Sequence, residues 1–355
     1  MKKGLRIVLT VIIVIAVLLC GVLGYYSVTE YKPGEIDGLT AYGTQSRELR
    51  KGDSFSVMTW NIGYGGLGET EDFFMDGGKA VKPEHVDEVN ENMSAVEETI
   101  LDLNPDVLFL QEVDEDSARS FHVNEKSLIE EITPDYVHAF AYNFVVSFLP
   151  YPIPPMGMIN SGIQTASRYG VSEAWRYRLP SPFKWPVSTV NLKRCLMLER
   201  VPIADSDKEL VLINLHLEAY DDGEGKIAQT KMLLDVLNEE YEKGNYVIAG
   251  GDFNQSFSNI DISAYPVVSE ENWTPGIIEA SDFGDNWQLL MDPESPSCRS
   301  LDQPYAGRNT DEDFQYYVID GFIVSDNITV EELKTVNLEF KNSDHNPLTM
   351  RVTLN

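Results

Sequence analysis

The period of the hydrophobic and polar positions changes repeatedly along the chain, which predicts alternating strands and helices. Hydrophobic residues recur at helical spacing at 86–103 and again at 227–241, as in an amphipathic helix packed on a sheet. Asn104-Pro105 and Gly244 follow these segments and predict where the two helices end. Short apolar runs predict strands at 54–60, 106–110, 211–217, 246–249, 318–324 and 348–354. Residues 52–355 are therefore predicted to form one α/β domain of sheets covered by helices.

The N-terminal segment has the pattern of a membrane anchor. A flank with three basic residues, 1–6, precedes an unbroken apolar run at 7–26, about the length of a helix that spans a bilayer. A cleaved signal peptide has a similar pattern, but no A-x-A-like site follows the run, so we favour an uncleaved anchor. The basic flank is expected to stay in the cytoplasm, which leaves the large domain extracytoplasmic. Residues 27–51, which contain proline and several glycines, are predicted to be a linker.

The composition of the chain argues against three classes of protein: disordered chains, proteins that bind a long polyanion, and proteins held together by disulfides. Hydrophobic residues make up 43% of the 355 positions, as in an ordinary globular core, so a disordered chain is not expected. The formal charge of −30 disfavours a long polyanion such as DNA as a partner. Cys20 lies in the apolar run, so Cys195 and Cys298 are the only possible disulfide pair, which is too few for a disulfide framework.

Polar residues that can bind a metal or a phosphate end or interrupt most of the predicted strands. Burying a polar group in an apolar strand is costly unless the group has a partner, and loops at strand ends commonly carry active sites. The residues are Asn61, Gln111, Glu112, Asn214, His216, Asp252, Asn254, Asp320, Asp344 and His345. This repetition predicts that the strand ends converge on a functional site.

These residue types suit the hydrolysis of a phosphoester. Carboxylate and amide oxygens are the ligands that Mg²⁺ prefers, with Mn²⁺ as the alternative ion. A histidine oriented by a carboxylate can handle a proton or stabilise negative charge. Because neighbouring residues on a strand point to opposite faces, we expect Asp320, rather than Asp344, to orient His345. Asp344 is then left to face metal or water.

Six motifs resemble, in order, those of the endonuclease/exonuclease/phosphatase superfamily, which are DNase I-like metal-dependent phosphoesterases. Six motifs in the family's order are a far more specific signal than any one of them alone. They are Met58-Thr59-Trp60-Asn61-Ile62, Leu110-Gln111-Glu112-Val113, Asn214-Leu215-His216, Gly251-Asp252-Phe253-Asn254, Ile319-Asp320-Gly321-Phe322-Ile323-Val324-Ser325 and Ser343-Asp344-His345.

The resemblance implies a fold and a metal site. The implied fold is a four-layer α/β sandwich with two mixed sheets packed between helices, preceded here by one N-terminal transmembrane helix. Glu112 is implied to bind the metal with help from Asn61, and Asp344 to complete the metal or water shell. The implied cofactor is Mg²⁺, with Mn²⁺ as the alternative.

The resemblance also implies catalytic roles. His216 and Asn254 are expected to contact the phosphate, and Asp252 to position or activate the attacking water. Asp320 and His345 are expected to form a polarised pair. The implied chemistry is direct in-line attack by water without a covalent enzyme intermediate. Whether Asp252 or His345 is the base stays open.

The substrate also stays open at this stage. A lipid phosphodiester is favoured by the anchor and by the aromatic segments 140–158 and 175–185, which are either core or a wall beside the substrate or bilayer. Nucleic acid is favoured by its frequency in the family and opposed by the charge. The acidic loop 69–76 is expected to be solvated. The alternative to an enzyme is a catalytically inactive, anchored binding module that uses the same groove.

Overall fold

The computed structural model of the protein describes residues 2–221, 223–270, 272–308 and 314–355, and Met1 of the predicted basic flank lies outside these ranges. Strands β1 to β19 are, in chain order, Ile36–Leu39, Tyr42–Gly43, Leu49–Arg50, Ser54–Asn61, Val107–Asp114, Val137–Leu149, Gly157–Ser167, Glu173–Arg178, Cys195–Ala204, Glu209–His216, Tyr246–Asp252, Gln255–Phe257, Gly276–Ile278, Trp287–Leu290, Cys298–Arg299, Tyr316–Tyr317, Asp320–Ser325, Ile328–Thr335 and Leu348–Leu354. Helices α1 to α4 are Lys2–Thr29, Val86–Leu103, Glu125–Ile132 and Glu224–Glu242. Single turns of 3-10 helix lie at Gly63–Gly65, Phe74–Asp76, Val187–Val190 and Ala280–Asp282.

Two mixed sheets face each other at the centre of the domain. The first has the order β1-β8-β9-β10-β11-β17-β14, with β3 added beside β9, and the second has the order β18-β19-β4-β5-β7-β6-β2. Each sheet contains a parallel pair, β10 with β11 and β4 with β5, among antiparallel neighbours. Side chains of both sheets, including Phe55, Phe109, Leu212 and Phe322, are fully buried between them. The two sheets therefore share one apolar core.

Helices cover the outer faces of the sheets. On one side, Val89 and Met93 of α2 pack against Leu108 of β5. On the other side, Leu233 of α4 packs against Ile213 of β10. Because successive side chains of a strand point to opposite faces, each central strand is buried by a helix on one face and by the other sheet on the other. The resulting order of helix, sheet, sheet and helix confirms the predicted four-layer α/β sandwich.

Helix α1 is the one candidate for crossing a membrane among the described residues. Its most apolar stretch of 18 residues has a mean hydropathy of 3.2 and is 0% buried against the rest of the chain. A helix of this length and composition is long enough to span a bilayer, and a signal sequence near an N-terminus would have the same properties.

The segment predicted as a linker, 27–51, is ordered against the domain. β1 pairs with β8, β2 with β6, and β3 with β9. The edge of a sheet presents unpaired N–H and C=O groups, so an extended segment can join it through backbone hydrogen bonds whatever its side chains. Strands β1, β2 and β3 therefore extend the two sheets before residue 52, and residues 30–35 connect α1 to β1.

Candidate active site

All eight predicted site residues come together at one end of the two sheets. The parallel register of β10 and β11 sets His216 opposite Asp252, and the antiparallel register of β11 and β17 sets Asp252 opposite Asp320. From the second sheet, β4 ends at Asn61, and Glu112 lies in β5 beside it. Seven of the eight residues line one cavity of about 420 Å³, and Asp320 lies behind His345.

Gln111 and Asn214, which also interrupt apolar strands, belong to the interior instead. The Gln111 amide nitrogen donates a hydrogen bond of 2.8 Å to Asn214 Oδ1, and both side chains are fully buried. Asn214 in turn donates to the carbonyl oxygens of Leu110 and Gln164 at 3.2 and 2.9 Å. These amides join the two sheets through hydrogen bonds inside the apolar core, which removes the cost of burying them.

His345 lies closer to Asp320 than to Asp344. Its Nδ1 lies 2.8 Å from Asp320 Oδ2, whereas its Nε2 lies 3.9 Å from Asp344 Oδ2. The indole nitrogen of Trp60 donates a hydrogen bond of 2.9 Å to the carbonyl oxygen of His345 and fixes the backbone there. The ring is therefore held with Nε2 directed into the cavity, where it lies 3.7 Å from Asp252 Oδ2.

The surrounding carboxylates decide the charge of His345. Burial lowers its pKa, but the negative charges near it, led by Asp320, outweigh burial and raise the pKa well above its ordinary value. The ring is then an imidazolium at neutral pH, and both nitrogens donate hydrogen bonds. An imidazolium can neutralise a phosphoryl oxygen but has no free electron pair with which to accept a proton from water.

Asp252, whose Oδ2 lies 3.7 Å from this ring, is a carboxylate and can accept a proton. Burial raises its pKa to about 7, although the nearby His345 opposes this shift. Its Oδ2 accepts a hydrogen bond of 3.1 Å from the Asn61 amide, and its Oδ1 accepts one of 2.8 Å from the Asn254 backbone N–H. A carboxylate that titrates close to the working pH is well matched to accept a proton from water.

His216 and Asn254 flank Asp252 on the other side. Burial, followed by the charge of Arg194, lowers the pKa of His216 well below its ordinary value, so the ring is neutral. Its Nε2 lies 3.5 Å from Asp252 Oδ2, and its Nδ1 has no hydrogen-bond partner within the described ranges. Asn254 has a left-handed backbone with φ +51°, and its amide nitrogen donates to the Leu217 carbonyl oxygen at 2.9 Å. Strained backbone of this kind is often found at functional sites.

Glu112 and Asp344 form a separate acidic corner. Glu112 lies at an irregularity in β5, where the register with β7 shifts between Leu110 and Val113, and its φ is +54°. Such a bulge redirects a side chain that would otherwise alternate with its neighbours. Burial raises the pKa of Asp344 to about 6, and the charge of Glu112 adds to this effect while His345 opposes it.

The donor chemistry of this corner fits a divalent cation. The side chain of Asp344 is 9% exposed, and the one hydrogen bond it accepts from another side chain in the described ranges is a long contact of 3.4 Å from Ser343. Two neighbouring carboxylates repel each other unless a cation lies between them. The side-chain Oδ1 of Asn61 accepts a hydrogen bond from the Gly63 N–H at 3.0 Å, and the side-chain Nδ2 of Asn61 donates to Glu112 Oε1 at 3.3 Å. Asn61 therefore orients Glu112 rather than offering its own oxygen.

Two other groups of potential ligands lie close together, namely Cys298, Asp344 and His345, and Asp252, Asp320 and His345. Both fit a hard cation less well. Burial raises the pKa of Cys298 to about 12, so this free cysteine is a thiol, and Cys195 is likewise free and buried. The second group would require a metal to break the contact between His345 and Asp320. Glu112 and Asp344 are therefore the candidate ligand carboxylates.

Comparison with known proteins identifies the family. The family model described as "Endonuclease/Exonuclease/phosphatase family" matches residues 58–289. The chain belongs to the endonuclease/exonuclease/phosphatase family. This confirms the resemblance carried by the six motifs. Members of this family are phosphoester hydrolases that generally depend on divalent metals. No curated protein matches the chain.

Solved structures share the fold at low sequence identity. An endonuclease/exonuclease/phosphatase from Beutenbergia cavernae has a TM-score of 0.58 and 18% identity, covering 85% of this chain and 72% of its own. One from Bacteroides vulgatus has a TM-score of 0.54 and 15% identity, covering 85% and 100%. ANGEL2, a 2',3'-cyclic phosphatase, has a TM-score of 0.55 and 14% identity, covering 89% and 98%. At these identities the likeness establishes the fold of the family.

Three buried arginines line the cavity without any signal in the sequence, and two of them lie beside acids. Arg119 donates two hydrogen bonds to the Asp114 carboxylate, at 2.9 and 3.1 Å, and its Nη1 lies 3.8 Å from Glu112 Oε2. Arg194 lies 3.4 Å from Glu218 Oε2 and donates to the His216 carbonyl oxygen at 3.2 Å. Each arginine is neutralised by its own acid, and neither lies in one of the six family motifs. Their place at the site follows from folding, and no local signal in the sequence marks it.

The sequence predicts that the acidic loop 69–76 is solvated, but one of its carboxylates, that of Asp76, is not. Asp76 is half-buried and lines the cavity, and the Tyr220 hydroxyl donates to its two oxygens at 3.1 and 3.2 Å. Burial raises the pKa of Asp76 to about 7, and the charges of Asp344 and Glu112 add to the effect. The 3-10 turn Phe74–Asp76 folds back over the cavity. The carboxyl group of Asp76 therefore lies at the cavity, although the sequence predicted that it would lie in solvent.

Gly63 leaves space beside Asp344 in the acidic corner. Alanine at this position is therefore predicted to affect cation binding, whereas alanine at a glycine elsewhere is not. Gly63 has φ +54°, and a Cβ there would lie 2.8 Å from Asp344 Oδ1. Gly52 provides a matched control, because its φ is +86° and a Cβ there meets nothing within 4 Å. Both Gly→Ala variants are expected to lose roughly 1–2 kcal/mol of folding stability, the cost of a left-handed alanine. Only Gly63→Ala should also weaken Mg²⁺ binding in calorimetry, and equal Mg²⁺ affinity in the two variants would contradict this role.

Proposed function

We propose that the chain is a membrane-anchored, Mg²⁺-dependent phosphoester hydrolase in which water attacks the phosphorus directly. One observation carries the proposal. Asp252, with a pKa of about 7, lies within 4 Å of both a neutral histidine, His216, and an imidazolium, His345. A base and two anion-binding groups therefore share one cavity with the acidic corner formed by Glu112 and Asp344. This is the set of groups that hydrolysis of a phosphoester requires.

Each residue has one task in this proposal. Asp252 accepts a proton from the attacking water, held in position by the hydrogen bonds from Asn61 and Asn254. His345 donates from Nε2 to a phosphoryl oxygen, and Asp320 keeps the ring charged and oriented. The phosphate also contacts His216 and Asn254.

The cofactor would be held by Glu112 and Asp344, with Asn61 orienting Glu112. Mg²⁺ bound there would supply positive charge to the phosphoryl and leaving oxygens. Mn²⁺ has the same preference for oxygen ligands and is the alternative ion.

The anchor in this proposal is α1. Its apolar run is long enough to cross a bilayer, and the basic flank 1–6 favours a cytoplasmic N-terminus. The catalytic domain would then lie on the extracytoplasmic side of the membrane as part of a single-pass protein. A signal sequence would be removed from the mature chain, so the intact mass of the purified protein distinguishes the two.

A lipid phosphodiester is the substrate class that the cavity favours. Apolar side chains from the aromatic segments form one wall of the cavity, including Phe144, Leu149, Met156 and Phe183. The segment 140–158 is therefore both core and cavity wall. Nucleic acid needs a track of free, exposed cationic groups. Of the three buried arginines that line the cavity, Arg119 and Arg194 are paired with acids and Arg299 donates to backbone carbonyl oxygens, and the chain carries a charge of −30.

The test compares substrates with and without metal. Purified full-length chain in detergent is incubated with sphingomyelin, DNA and bis(p-nitrophenyl) phosphate, in Mg²⁺ or in EDTA. We expect hydrolysis of the lipid and of the small diester in Mg²⁺ alone, and little hydrolysis of DNA. Inactivity on all three substrates, together with no Mg²⁺ binding in calorimetry, would favour the anchored binding module.

A further inference from the structure

The last turn of α1 is fixed to the catalytic domain by side-chain hydrogen bonds. The Tyr25 hydroxyl donates to Ser147 Oγ at 3.0 Å, and Ser147 donates to Thr29 Oγ1 at 3.2 Å. The indole nitrogen of Trp185 donates to Ser27 Oγ at 3.0 Å. The helix therefore leaves the domain at a defined place, between the end of β6 and the segment that precedes the 3-10 turn Val187–Val190.

Large apolar side chains are exposed in these same two segments. They form a surface that we call the apolar edge, consisting of Phe148, Tyr151, Ile153, Trp185 and Val187. Ile153 is 91% exposed, Tyr151 68% and Trp185 59%. A cluster of exposed apolar residues on a soluble domain is unusual and commonly marks an interaction surface.

The anchor sets the height of this edge above a bilayer. The apolar run ends at residue 26, and an α-helix rises about 1.5 Å per residue, so Ser27 and Thr29 lie within about 5 Å of the end of the run. Trp185 and Ser147 contact these residues and therefore lie at the same height. Tryptophan and tyrosine favour this interfacial zone of a membrane.

We propose that the apolar edge docks on the bilayer in which α1 is anchored and holds the mouth of the cavity at the level of the lipid headgroups. The inference rests on the proposed function only in requiring that α1 is retained as an anchor. Continuity with the anchor identifies the bilayer as the occupant of this surface. Lys184, which is exposed beside Trp185, adds a cation suited to anionic headgroups.

The edge continues into the wall of the cavity. Tyr151 belongs to both surfaces, and its ring contacts that of Phe74 at a centroid distance of 5.8 Å. Leu149 and Val190 pack in one apolar cluster and line the cavity, directly beside the exposed residues of their own segments. A phosphoester lipid could therefore bring its headgroup to the site while its acyl chains stay against apolar side chains. Docking thus defines a lateral route of entry from the membrane.

Quenching of tryptophan fluorescence tests docking without relying on catalysis. The full chain is inserted at one copy per nanodisc, in phosphatidylcholine carrying bromine on its acyl chains, and Trp185→Phe identifies the signal of Trp185. We expect bromolipid to quench Trp185 and aqueous iodide to quench it weakly. Strong iodide quenching without bromolipid quenching would overturn the proposal, because the edge would then face water.

Substitutions within the edge give a second, independent measurement. In Ile153→Ser/Val187→Ser, neither position lines the cavity, so hydrolysis of bis(p-nitrophenyl) phosphate should be unchanged. Bromolipid quenching of Trp185 and hydrolysis of lipid in nanodiscs should both fall, by roughly tenfold for hydrolysis, since burial of one aliphatic side chain is worth about that factor. Leu101→Ser on α2, 54% exposed and outside the edge, is the control and should change neither. Equal effects of the two variants would contradict docking.

Failure of docking and failure of the proposed function give different results. Hydrolysis of the small diester with no bromolipid quenching would remove the docking surface and leave the enzyme. Bromolipid quenching with no hydrolysis of any diester would retain docking and remove the catalytic proposal. An intact mass that lacks α1 would remove the anchor and docking with it.

Discussion

Replacing His345 with alanine is expected to lower kcat for bis(p-nitrophenyl) phosphate by roughly 10²–10⁴-fold, the usual range for a group that handles a proton or charge in the transition state. The imidazolium lies 3.7 Å from Asp252, the proposed base, and Asp320, 2.8 Å from its Nδ1, favours the positive charge. The loss should fall on kcat more than on KM, because the charge on the phosphoryl oxygens grows in the transition state. Steady-state kinetics in saturating Mg²⁺ measures both parameters.

Two variants make this result specific. His122→Ala removes an exposed histidine, with 57% of its side chain accessible, and should leave kcat unchanged. Asp320→Asn keeps the shape of the pair but removes the charge that raises the pKa of His345, so it should also lower kcat. If His345→Ala retained more than about a tenth of wild-type kcat, the imidazolium role would be wrong.

Periodicity and local motifs were enough to predict most of the fold. Helix α2 spans the residues that its pattern indicates, and Asn104 ends it in a left-handed conformation with φ +47°. The central strands are buried on both faces, which produces the continuous apolar runs that the sequence displays. Polar residues at the ends of such runs are conspicuous, and for this reason the sequence alone predicts Glu112, Asp252 and His345 as site residues.

Other features depend on contacts between distant parts of the chain and had no such signal. Arg119 and Arg194 lie outside the family motifs, and each reaches the site only through pairing with an acid from the same fold. In the sequence, Asp76 is one of several acids in a glycine-flanked loop, and nothing there indicates that the loop folds against Tyr220. Residues 27–51 show no regular spacing of hydrophobic residues. Their strands join the sheet edges through backbone hydrogen bonds, which do not depend on the type of side chain and so leave no pattern in the sequence.

Glu112→Gln is expected to weaken Mg²⁺ binding by more than about 100-fold, since even the loss of an outer-shell partner of a metal ligand costs roughly 10–100-fold. The substitution keeps the shape of the side chain but removes one of the two negative charges of the acidic corner. Calorimetry at pH 8 measures the affinity directly. Hydrolysis of the small diester should then require far more Mg²⁺ for half-maximal rate, with partial recovery at high Mg²⁺. Glu239→Gln on α4, whose side chain is 69% exposed, is the matched control.

The pH dependence of Mg²⁺ binding examines the other carboxylate of that corner. Asp344 has a pKa of about 6, so below this pH a proton competes with the metal, and above it the carboxylate is free to bind. Affinity should therefore be lower at pH 5.5 than at pH 8 in the wild-type protein, and this difference should shrink in Asp344→Asn. If affinity depended equally on pH in both proteins, Asp344 would not be a ligand.

If Glu112→Gln bound Mg²⁺ as the wild type does, the metal would have to lie elsewhere, at one of the groups around His345, and the assignment of His345 as the imidazolium would fail with it.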